Sequence, residues 1–112
     1  MQGTKLKMPY DLPKGELLLM LAEEATELAQ AALKLRRAID KTNPTPRPTE
    51  ECSADLLEEM GDVELCFDMY VDCITSEDCS ANRQGIIYGE VYDTKRRKFE
   101  RWVERLNDEA DS

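Results

Sequence analysis

The chain has 112 residues, 41% hydrophobic and 35% charged, so it can fold as one domain around one core, and disorder is not expected. Its formal charge of −9 disfavours nucleic-acid polymers, which are bound through a basic face, so a role with phosphates would have to pass through metal ions. The longest apolar run, Leu17 to Ala22, is far short of the roughly 20 residues that cross a bilayer, and no apolar signal core follows Met1-Gln2-Gly3-Thr4-Lys5; no membrane contact and a cytoplasmic location are expected.

The abundance of Glu, Lys, Arg, Ala and Leu predicts an all-α chain, read as a single domain over 1–112. Residues 1–13 form an N-terminal extension. The first helix is expected from about Lys14 to about Asp40, with Pro13 in its opening turn and Lys34, Arg36, Arg37 and Lys41 near its C-terminal end, where cations complement the helix dipole. Leu18, Leu21, Ala25, Leu28, Ala32, Leu35 and Ile39 step by three and four and predict its core stripe. Beside that stripe Leu17, Met20, Glu24, Glu27 and Ala31 form a flank, apolar at its ends and acidic in the middle, while Glu23 lies further round.

Pro44, Pro46 and Pro48 forbid helix and predict a proline-rich loop over 41–52, a connector between antiparallel helices. Ser53 is the expected N-cap of the second helix, which carries a core stripe of Leu56, Met60, Val63, Phe67, Tyr70 and Ile74 to about Thr75. Its flank reads Asp55, Glu59, Asp62, Cys66, Met69 and Cys73, again acidic beside soft apolar residues. Residues 76–85 turn the chain, with room for one short helical turn. A third helix from about Ile86 to Asn107 carries Tyr88, Tyr92, Lys95, Phe99, Trp102 and Leu106 on its expected inner face, with Lys95 interrupting it. The cysteines at 52, 66, 73 and 79 have neither Cys-x-x-Cys spacing nor a histidine to complete a zinc set, and read as structural thiols.

The chemistry on offer is therefore carboxylate. Glu24 stands over Glu27, and Glu59 over Asp62, because three-residue spacing places each pair on one helix face. Like charges so stacked repel, and a hard divalent cation is the natural partner; oxygen-only ligands suit Mg²⁺ or Mn²⁺. Gly61, between Glu59 and Asp62, would permit close approach of a backbone or ligand.

The runs Glu23-Glu24-Ala25-Thr26-Glu27 and Glu59-Met60-Gly61-Asp62, with the basic segment Lys95-Arg96-Arg97-Lys98-Phe99-Glu100-Arg101-Trp102, resemble the MazG-like family of all-α nucleoside triphosphate pyrophosphohydrolases over about residues 14–106. The resemblance implies hydrolysis of a nucleoside triphosphate between its α and β phosphates, giving the monophosphate and pyrophosphate. It implies Glu23, Glu24, Glu27, Glu59 and Asp62 as the catalytic set, and Glu24, Glu27, Glu59 and Asp62 as Mg²⁺ ligands. Lys95, Lys98 and Arg101 would contact phosphate; Lys95 and Lys98 both align with the family's lysine, and Lys95 is preferred for its inward stripe. The implied fold is an antiparallel bundle of three main helices plus short helical turns, completed by dimerisation as a homodimer or dimer of dimers. Leu17, Met20, Cys66 and Met69 are candidates for the interface or the base pocket. Two other readings stand beside this one: a non-catalytic acidic helical interaction module, and a related metal-dependent hydrolase acting on phosphoribosyl-ATP or a diphosphate.

Overall fold

The structure, a computed structural model, describes residue 8 and residues 11–41, 48–76 and 83–111. The described residues form three helices, α1 (Lys14–Asp40), α2 (Thr49–Ser76) and α3 (Arg83–Asp111), and no strand. Among them no helix is long and apolar enough to cross a membrane. The chain divides into two compact units, Met1–Ile74 and Thr75–Ser112.

Pro13 sits just outside α1 in extended geometry, with φ −58° and ψ 149°, and its carbonyl accepts the amides of Glu16 and Leu17 at 2.9 and 3.1 Å. Proline suits this place because the missing N–H has no helical acceptor there. At the other end Lys41 takes the left-handed conformation, φ 55° and ψ 26°, and donates its amide to the Arg37 carbonyl at 2.9 Å, satisfying one of the last carbonyls. Arg36 and Asp40 pair at 3.3 Å across one turn, an exposed contact worth less than about 1 kcal/mol.

The second helix begins at Thr49, four residues before the expected cap Ser53, so the proline-rich loop ends at Pro48 and not at Cys52. The amide of Cys52 donates to the Pro48 carbonyl at 3.1 Å, and Glu50 and Glu51 stand in the first turn, where acids complement the positive end of the helix. Pro48 thus opens a helix, whereas Pro44 and Pro46 lie outside the described residues. The expected short turn falls largely on 77–82, also outside them, and α3 starts at Arg83, three residues before Ile86.

Within the first unit α1 and α2 form an antiparallel hairpin. Leu17, early in α1, clusters with Cys66 and Met69 late in α2, and Met20, Leu21 and Cys73 pack against them. Further along, Glu24 and Glu27 meet Glu59, and Lys34 shares a cavity with Asp55, so partners fall in number on α2 as they rise on α1. The most deeply buried contacts therefore lie on the two flanks, with Leu21 of the expected α1 stripe packed against them and Leu28, Leu56, Val63 and Phe67 of the stripes half-buried. Leu17 is fully buried and Ala31 nearly so, whereas Leu18, Ile39 and Met60 from the stripes are 43, 59 and 50% exposed. Each helix is apolar over an arc wider than one neighbour can cover, and small side chains such as Ala31 and Cys66 let the flanks approach most closely.

Leu17, Cys66 and Met69 are consequently core residues of the hairpin. The expected inner face of α3 is exposed as well, with Tyr92 and Phe99 each 65% accessible, and Trp102 and Leu106 also open. Lys95 is exposed on the same stripe.

Candidate functional site

The hairpin register brings carboxylates from two helices to one place. One oxygen each of Glu24, Glu27 and Glu59 lies within 4.8 Å of the others, a spacing that one cation could bridge. Glu24 and Glu27 come from successive turns of α1, and Glu59 faces them from α2 because both helices turn their flanks to the seam. Glu24 and Glu59 are half-buried, and in each the Oε2 atom is enclosed without a hydrogen-bond partner. Enclosed carboxylate oxygens are normally satisfied, so two in a single cluster carry a desolvation cost that a shared proton or a bound cation would relieve. Oxygen-only donors of this kind fit Mg²⁺ or Mn²⁺.

The same crowding shifts protonation. Burial pushes the Glu59 carboxyl up, reinforced by the hydrogen bond it shares with Glu24 and by the charges of Glu27, Glu24 and Asp62, to about 7 from an ordinary 4.5. For Glu24 the hydrogen bond from Glu59 acts downward, but desolvation and the charges of Glu27 and Asp62 outweigh it, and the net shift is upward. The pair behaves as two acids competing for one proton. Two turns further along α2 from Glu59, the Cys66 thiol is raised by burial and then by the charges of Glu24 and Asp62, which leaves it a poor nucleophile. Cys52, Cys66 and Cys73 are all free thiols.

Not every expected ligand stands in the trio. Asp62 is half-buried and near enough for its charge to act on Glu24 and Glu59, but lies outside the three-carboxylate group. Glu23 is exposed, on α1 next to Glu24 and outside the trio. Gly61 is exposed too, and among the described residues a Cβ built there meets nothing within 4 Å. Thr26, between the acids of the first run, spends its hydroxyl on the Ala22 carbonyl at 2.9 Å.

A cavity of about 290 Å³ adjoins the trio along the same groove, walled by Glu27, Gln30, Lys34, Asp55, Glu58 and Glu59. Lys34 is the cation among these carboxylates, a placement the sequence did not announce because Lys34 also reads as an ordinary C-terminal helix cation. The phosphate contacts expected on α3 belong to the second unit. There Lys95 and Lys98 line an aromatic cavity of about 460 Å³ with Tyr92, Arg96, Phe99 and Trp102, and the Lys98 ammonium lies 5.5 Å from the Trp102 ring centre. Arg101 is exposed and does not line that cavity.

The site thus defines an all-α protein with an oxygen-donor cluster at the seam of a helical hairpin. No family model, curated protein or solved structure matches the chain.

Proposed function

We propose that the protein is a Mg²⁺-dependent nucleoside triphosphate pyrophosphohydrolase of the MazG-like kind, releasing a nucleoside monophosphate and pyrophosphate. The observation that carries this reading is the trio of Glu24, Glu27 and Glu59, with its two enclosed oxygens that lack partners. These three residues would hold the ion, with Asp62 beside them; Mn²⁺ fits the same donors. When bound, Mg²⁺ supplies charge neutralisation on phosphate oxygens and a water of lowered pKa.

The chain supplies the rest. Glu24 and Glu59 must yield the proton they share before they can act as ligands, which ties cation affinity to pH. A carboxylate of the cluster, with Glu23 in support, takes the proton of the attacking water. Lys95, Lys98 and Arg101 are the cations on α3 assigned to the departing pyrophosphate. The open stripe of Leu18, Ile39 and Met60 supports completion of the bundle by a second copy, as a homodimer or dimer of dimers, since so wide an apolar arc is costly in water. A cytoplasmic location belongs to the same reading.

Calorimetric titration with Mg²⁺ tests the proposal. Saturable binding by the native chain, lost in Glu59→Ala, is the expected result. Absence of Mg²⁺ binding in the native chain would overturn the enzyme reading in favour of an acidic interaction module.

A further inference from the structure

We infer that the groove cavity next to the carboxylate trio is the subsite for a phosphate group of the substrate, with Lys34 as its cation. The inference rests on the pyrophosphohydrolase reading and deepens it, because it places a phosphate contact on α1, inside the hairpin that carries the trio.

Three observations converge on Lys34. It stands in the wall of the cavity together with Glu27 and Glu59, which also belong to the trio, so one groove holds both the oxygen donors and an ammonium group. Among the described residues Lys34 makes no ion pair, although Glu27, Asp55, Glu58 and Glu59 share the cavity with it. Its exposed ammonium therefore has three donors open to water or to a ligand in the groove. Finally, Glu27, Ala31 and Lys34 lie on one face of α1, with Lys34 about 10 Å from Glu27 along the axis; helical side chains lean toward the N-terminus, which carries the ammonium back toward the trio.

Size and charge narrow the occupant. A volume of about 290 Å³ lies at the small end of the roughly 300–1,000 Å³ usual for ligand sites, enough for a diphosphate but not for a whole nucleotide. With four carboxylates in its wall the cavity repels a bare anion, so phosphate enters only after a divalent cation has been taken up at the trio. Gln30 offers an amide donor from the same wall.

The test is calorimetry with inorganic pyrophosphate on the full chain, with and without Mg²⁺, for the native protein, Lys34→Gln and Lys34→Arg. Lys34 is exposed, so the variants should fold, and circular dichroism melts check that they do. The native chain is expected to bind pyrophosphate only with Mg²⁺ present. Lys34→Gln should weaken that binding by about tenfold or more, the effect of losing one charged hydrogen bond, while Lys34→Arg retains most of it. Mg²⁺ binding measured without pyrophosphate should not weaken in either variant. Pyrophosphate affinity that is equal in the native chain and Lys34→Gln overturns the subsite while leaving the enzyme reading intact. Failure of the native chain to bind Mg²⁺ overturns that reading and the subsite with it.

Discussion

Replacing Glu59 by glutamine removes one titrating group from the carboxylate cluster while keeping the side chain's length and an amide to face Glu24. In the unfolded chain Glu59 loses its proton near the ordinary 4.5, whereas in the fold it holds the proton up to about 7. Between those values the folded state binds more protons than the unfolded one, so stability contributed by the neutral carboxyl is complete below 4.5 and is lost as the pH climbs to about 7. The upward shift of Glu24 acts with the same sign. Above about 7 the fold must hold a charged Glu59 against Glu24, Glu27 and Asp62, and the penalty is constant. Glu59→Gln lacks this titration. The difference in Tm, variant minus native, should therefore be flat below pH 4.5, rise in favour of the variant to about pH 7, and be flat again beyond it. Melts followed by circular dichroism at fixed ionic strength, without divalent ions, read this difference directly and cancel the general repulsion of an acidic chain. A difference that stays constant across the whole range, or one that favours the native chain at high pH, would refute the reasoning.

Two further outcomes follow from the packing and from the cysteines. Leu17 is fully enclosed by Cys66, Met69 and their neighbours, so Leu17→Ala should destabilise the chain by about 2–5 kcal/mol in urea unfolding; a loss under about 1 kcal/mol would mean that the seam is not where it is placed. Cys66, buried and with its thiol pushed up by that burial, should resist alkylation at neutral pH until the protein is unfolded; rapid labelling of the native chain, mapped by mass spectrometry, would contradict the seam in a different way.

The sequence carried the elements further than it carried their contacts. α1 is legible from Lys14 to Asp40 because its apolar period is long and prolines bracket it on both sides. The start of α2 is not, since Pro48 looks like one more breaker in a run of three, and only the acids at Glu50 and Glu51 hint that it opens a helix. Periodicity placed the seam only in part, since Leu21 of the stripe packs at it while the deepest contacts fall on the flanks. In both helices a stripe and its flank are each amphipathic, and which sector meets a neighbour depends on how closely side chains such as Ala31 and Cys66 let the backbones approach. For the site, three-residue spacing paired Glu24 with Glu27 and Glu59 with Asp62, and the hairpin brings the first three of these together. That Lys34 shares a cavity with Asp55, Glu58 and Glu59 was not legible, because that relation exists only once the antiparallel register is set.

The central claim concerns chemistry at the trio, and release of pyrophosphate tests it most directly. Native protein incubated with Mg²⁺ and each natural nucleoside triphosphate in turn should yield monophosphate and pyrophosphate in equal amounts from at least one of them. Omission of the metal or replacement of Glu59 by glutamine should abolish that release. A native chain that binds Mg²⁺ yet turns over no triphosphate, or that keeps its activity in Glu59→Gln, would contradict the account.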